Sequence, residues 1–62
     1  MKISELEPGK GTVQNGYLIY HYSVKDYVVM DPEQKTFGTD DPLRLFQYLE
    51  AQEHLRNIHF DF

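Results

Sequence analysis

The sequence predicts a small α+β domain: an antiparallel meander of three to four strands, covered on one face by a single C-terminal helix. Three stretches carry that prediction. Residues 17–31, Tyr-Leu-Ile-Tyr-His-Tyr-Ser-Val-Lys-Asp-Tyr-Val-Val-Met-Asp, hold four of the five tyrosines and most of the Val and Ile, a composition that favours a pleated, half-buried surface. Just before them, Asn15-Gly16 is the dipeptide preferred in a two-residue type I′ hairpin turn, because both central residues need positive φ. Farther on, Thr39-Asp40-Asp41-Pro42 marks the start of a helix. Asp41 as N-cap accepts a backbone N–H, Pro42 suits the first helical position, and the acids complement the positive end of the helix dipole.

The elements follow in order. Residues 1–9 form an N-terminal arm, with Ile3 and Leu6 as its only large apolar side chains before the Pro8-Gly9 turn. The meander spans residues 11–38. Its first strand is brief, residues 11–14, and its second starts at Tyr17. A run of fifteen residues is longer than the usual strand of about five or six, so a turn is placed at residues 23–26. Alternation puts Tyr17, Ile19 and His21 on one face and Leu18, Tyr20 and Tyr22 on the other, and separates Tyr27 and Val29 from Val28 and Met30. Both faces are apolar, and one helix cannot cover both, so some tyrosines are expected to stay partly exposed. Asp31-Pro32-Glu33-Gln34 reads as a type I turn into a short fourth strand from Lys35. The helix covers residues 42–56, with Leu45, Tyr48, Leu49, Gln52 and Leu55 on one stripe and Phe46 at its edge. Asn57 is the stop. Ile58, Phe60 and Phe62 then recur at period two and predict a closing strand over residues 58–62.

Size and composition bound the function. A chain of 62 residues is one domain, and a core of this size rarely supplies more than about 3–5 kcal/mol. There is no cysteine to form a disulfide, bind metal or attack a substrate, which fits a reducing compartment. No apolar stretch approaches the roughly 20 residues of a membrane helix, and the first residues lack the apolar segment of a signal peptide. A cytoplasmic protein is expected. The net charge of −4 divides into +1 over residues 1–25 and −5 over residues 26–62. That balance disfavours duplex DNA, whose affinity comes from neutralised phosphates, and suits a protein partner with a basic surface or serves only solubility.

Catalysis is not expected. The hydroxyls of Ser4, Ser23, Thr12, Thr36 and Thr39 lie in no nucleophile motif, and no carboxylate is placed to activate His21, His54 or His59. No metal or other cofactor is expected either. His54 and His59 are five apart across the helix end rather than four apart on one face, the acids of Asp40-Asp41 have a capping role, and Pro-Gly-Lys-Gly lacks the spacing of a phosphate loop. Binding remains. Tyr17, Tyr20, Tyr22 and Tyr27, with Phe37 and Phe60, can serve as core, as protein interface or as a base-stacking platform. The candidate partner-binding residues are Asp40, Asp41, Glu50 and Glu53, which can meet Lys or Arg of a partner, together with Tyr17, Tyr20 and Tyr27, which supply apolar contact. A second copy of the chain is a further candidate occupant for the face that the helix leaves uncovered.

Two resemblances bear on these alternatives. The opening Ile3-Ser4-Glu5-Leu6-Glu7-Pro8-Gly9, followed by Val13 and the strand from Tyr17, resembles the approach to the first strand of OB-fold single-strand-binding domains, over about a quarter of the chain. It implies a small barrel that binds single-stranded nucleic acid through exposed tyrosines, with Lys10, Lys25, Lys35 and Arg44 as the cations available to a strand. In general character, short, acidic and cysteine-free, the chain is also similar to phage and mobile-element inhibitors such as anti-CRISPR proteins, some of which present nucleic-acid-like negative charge. That likeness implies an inhibitor or regulator whose carboxylates, here Asp40, Asp41, Glu50, Glu53 and Asp61, engage a partner's basic groove.

Overall fold

The predicted type I′ hairpin is where the sheet begins. In the computed structural model, which describes residues 2–62, Asn15 and Gly16 take φ of 54° and 80° and join β1 (Lys10–Gln14) to β2 (Tyr17–His21). Met1, part of the expected arm, lies outside the described residues. A second turn leads into β3 (Tyr27–Met30), held by the Tyr22 N–H on the Asp26 carbonyl at 2.7 Å and the Ser23 hydroxyl on the Asp26 carboxylate at 2.8 Å. β4 (Thr36–Thr39) completes an antiparallel sheet of order β1-β2-β3-β4. The turn before β4 is a three-residue loop whose geometry Asp31 sets. Its carboxylate accepts the N–H groups of Glu33 and Lys35 at 2.9 and 2.8 Å, and its carbonyl accepts that of Gln34 at 2.9 Å. Gln34 itself sits at φ 68°, a left-handed position that suits glycine better.

The register divides the side chains cleanly between two faces. Ile19 pairs with Thr12 and Val29, Val29 with Phe37, and His21 with Tyr27, so Tyr17, Ile19, His21, Tyr27, Val29 and Phe37 share one side. Helix α1 (Pro42–Arg56) covers that side. It starts as expected, with the Asp41 carboxylate accepting the Leu43 N–H at 2.9 Å and Pro42 in the first turn. Leu45 and Leu49 are fully buried, and Tyr48 stacks on Phe37 with ring centroids 4.2 Å apart. Leu55 departs from the expected stripe: it is 76% exposed. Arg56, one turn past Gln52 and also exposed, reaches across to the sheet instead. Its guanidinium lies 5.7 Å from the centre of the Tyr17 ring and 2.6 Å from the Glu33 carboxylate.

The closing strand expected over residues 58–62 does not form. Asn57 in the left-handed conformation ends the helix, and the Ile58 N–H closes on the Glu53 carbonyl at 3.1 Å, the bond pattern of a Schellman motif. The tail that follows has no place at a sheet edge, because its backbone groups are taken elsewhere. The side-chain amide of Gln14 brackets the Asp61 peptide, accepting its N–H at 2.7 Å and donating to its carbonyl at 3.3 Å. Asn15 donates to the His59 carbonyl at 2.7 Å, and the Glu53 carboxylate accepts the Phe60 N–H at 2.7 Å. A 3-10 turn at Ile3–Glu5 donates from Ile3 and Ser4 to the Asp61 and Phe62 carbonyls at 2.9 and 3.0 Å. The two ends of the chain thus clasp each other, and Phe60 enters the core edge-on to Tyr17 at 5.1 Å. With β1 and β4 left as free edges, the sheet stays open and the closed barrel implied by the OB-fold resemblance is not formed.

Two outcomes follow. Gln34→Gly relieves a left-handed residue and should raise stability by about 0.5–1 kcal/mol in thermal melts, net of the added freedom of the unfolded chain. Phe60→Ala removes a fully buried ring at a cost of about 3–5 kcal/mol. Against a total of similar size for so small a core, circular dichroism should show this variant largely unfolded at 25 °C.

Candidate interaction face

Among the described residues none covers the side of the sheet away from the helix. Register places two rows of side chains there: Val13, Leu18, Met30 and Thr36 in one, and Gly11, Tyr20, Val28 and Gly38 in the other. Tyr22 extends the second row past the end of β2. None of these residues is charged, although 26% of the chain is. Exposure runs from 37% at Met30 to 66% at Val13 and Tyr22, while Tyr20 is half-buried. Isolated exposed apolar residues are ordinary on any protein, whereas a contiguous apolar face is the kind of surface that proteins bury against something.

The second row carries a glycine at each edge strand, and the two positions are used differently. On β1, the Tyr20 ring lies across Gly11, so closely that a methyl group there would meet the ring at 2.9 Å, and Tyr22 meets Tyr20 edge-on at 6.1 Å. On β4, the space above Gly38 is open, and the nearest atom to an added methyl is the Tyr27 carbonyl at 3.9 Å. The result is a trough of about 450 Å³ along Val28, Gly38 and Tyr22, rimmed by Asp26 and Asp40.

The seven partner-binding candidates scatter across the molecule. Tyr17 is fully buried on the helix side, its hydroxyl donating to the Gln52 side chain at 2.6 Å. Tyr27 also belongs to that side, stacked on His21 with centroids 4.2 Å apart, and reaches only the border of the trough. Tyr20 alone of the three stands on the open face. Asp41 caps the helix and Glu53 holds the tail, while also facing His59 at 3.3 Å. Glu50 is exposed on the helix beside Phe46 and Phe62, about 13 Å along the axis from the N-cap. Asp40 is exposed at the trough rim. The four acids therefore form no common surface. Leu18, Val28, Met30 and Gly38 were not among the candidates, although the period-two alternation that put Leu18, Tyr20 and Tyr22 on one face was the signal for them.

The other polar groups are held by the fold. His21 is buried between two carbonyls, with Nδ1 2.8 Å from that of Leu6 and Nε2 3.3 Å from that of Val24. Asp31, Glu33 and Arg56 tie the β3–β4 turn to the end of the helix, and the hydrogen bond to Glu33 strengthens the hold of the Arg56 guanidinium on its proton. Among the described residues no group of three or more His, Asp or Glu is placed to hold a metal ion, and no helix is long and apolar enough to cross a membrane. No protein-family model matches the chain, and comparison with curated proteins and with solved structures found no similar chain.

Burial raises the pKa of the Tyr17 phenol above its ordinary value, with Arg56 opposing and Asp31 and Glu33 reinforcing the shift, and burial does the same at Tyr48. A phenol whose folded pKa is raised stabilises the fold below its unfolded pKa, near 10, and loses that contribution as pH climbs through the folded value. Absorbance at 295 nm should show Tyr17 and Tyr48 ionising above the ordinary phenol range, together with loss of the far-ultraviolet circular dichroism signal.

Proposed function

We propose that this chain is a non-catalytic binding protein that acts through a protein partner, using the open face of the sheet as its docking surface. One observation carries the reading: a four-stranded face without a single charged side chain, in a chain of net charge −4. The face is modest in extent. Three inter-strand spacings and four to five residues of strand make a footprint of about 15 by 15 Å, well short of the roughly 800 Å² per partner of a standard interface. The contact therefore extends onto the rim, where Asp26 and Asp40 stand at one end. The partner that suits this surface has an apolar patch edged by basic groups. By covering such a patch the domain works through occlusion, as an inhibitor or regulator.

Tyr20 and Tyr22 also offer rings on which bases can stack, at about 1–3 kcal/mol per base. Single-stranded nucleic acid needs cations along its backbone as well, and the face presents none. A second copy of the chain would place apolar row on apolar row, yet it would also bring together two rims that carry only acids at the trough. The heterologous protein partner is the occupant these surfaces favour.

Leu18→Thr with Met30→Thr removes apolar area from the centre of the face while keeping strand-compatible residues. The double variant should melt within about 0.5 kcal/mol of the parent and lose at least about tenfold in affinity for the partner, because central apolar positions dominate interface energetics. The check is capture with the parent chain as bait, followed by calorimetry of the purified partner against both chains. Equal affinity would remove the open face as the docking surface. A dimer in sedimentation of the parent alone that the double variant abolishes would reassign the face to a second copy.

A further inference from the structure

We infer that the trough beside Gly38 is an anchor site for an arginine side chain of the partner; the inference rests on the docking reading above and names the group that enters. The two glycines of the second row make the argument. At Gly11 the missing side chain is replaced from within the molecule, by the Tyr20 ring laid over the strand. At Gly38 no described residue fills the equivalent space, which opens into a trough of about 450 Å³. Its floor and wall are Gly38, Val28 and Tyr22, suited to an alkyl stem, and its rim carries the carboxylates of Asp26 and Asp40. Asp26 already accepts the Ser23 hydroxyl at 2.8 Å through Oδ2, which orients the carboxylate and leaves Oδ1 available. Neither acid is paired with a cation among the described residues. An apolar channel that ends between two unneutralised carboxylates, with an exposed tyrosine ring at its wall, complements a long stem with a cationic head.

Arginine fits better than lysine for two reasons. Its planar fork can serve both carboxylates with fixed geometry, and its weakly hydrated face stacks on an aromatic ring. Arginine is also the cation that protein interfaces favour over lysine.

The test uses the isotope-labelled full chain and Nα-acetyl-arginine amide as probe, followed by amide chemical shifts. The expected result is saturable shifts confined to residues 22, 26–28 and 38–40. The uncharged citrulline counterpart should leave those positions unmoved, and the lysine counterpart should bind more weakly than arginine. Asp26→Asn and Asp40→Asn should each weaken the probe by about two- to fivefold, the range of a partly exposed ion pair. Gly38→Val fills the trough at a strand position where valine is favoured, so probe binding should vanish while the melting temperature holds or rises. Gly38→Ala, whose methyl meets only ordinary contact, provides the same blocking test should valine perturb the sheet. Shifts spread over Asp31, Glu50 and Asp61, absence of saturation, equal binding of citrulline or lysine, or full binding to the glycine variants would each overturn the assignment. The Leu18→Thr/Met30→Thr chain separates this inference from the docking reading. It lies in the other row, so it should keep the probe while losing the partner.

Discussion

One helix can cover one face of a sheet, and the rest of this structure depends on how that single cover is used. The fifteen residues of α1 lie over β2, β3 and β4 on the side that carries Tyr17, Ile19, Val29 and Phe37. The segment over residues 57–62 forms no further strand or helix. It is spent as a plug, with Phe60 against Tyr17 and the backbone tied down by Gln14, Asn15, Glu53 and the N-terminal turn. None of the described residues outside the sheet buries the opposite face, where Val13, Leu18 and Tyr22 stay exposed.

The closure of the core also explains how charged and polar residues are distributed. Asp31, Glu33, Glu53 and Arg56 are engaged in holding turns, tail and helix end, and His21 bridges the arm and the β2–β3 turn through two carbonyls. In a domain with so little apolar volume, such tethers locate elements that packing alone would leave loose. Their placement separates two kinds of acid that look alike in one dimension. Asp41 and Glu53 serve the fold, whereas Asp40 faces solvent at the edge of an apolar trough, and Asp26 beside it bonds Ser23 through one carboxylate oxygen while remaining exposed.

Much of the architecture was legible because it is encoded by neighbours in the chain. Asn15-Gly16 specifies its own turn through backbone preference, Asp41-Pro42 its own helix start, and the alternation in residues 17–22 its own strand. The exceptions are informative. The tail keeps the period-two pattern of a strand, but a strand needs an edge to pair with, and side-chain amides 44 and 47 residues away capture its backbone first. Leu55 keeps the helical stripe, yet it stays 76% exposed, and the residue beside it that reaches the Tyr17 ring is Arg56.

By itself, then, the sequence determined the fold class, the meander, the helix and its cap, and the excess of apolar faces over available cover. All of these follow from local backbone preference and side-chain periodicity, which act over a few residues. Only the tertiary structure decided which tyrosines are core and which are surface, that the tail seals rather than pairs, and that Gly38 opens a trough where Gly11 does not. Those outcomes depend on strand register and on the direction from which the single helix arrives, and a side chain's neighbours across a sheet are set by pairing between distant segments rather than by its neighbours in the chain.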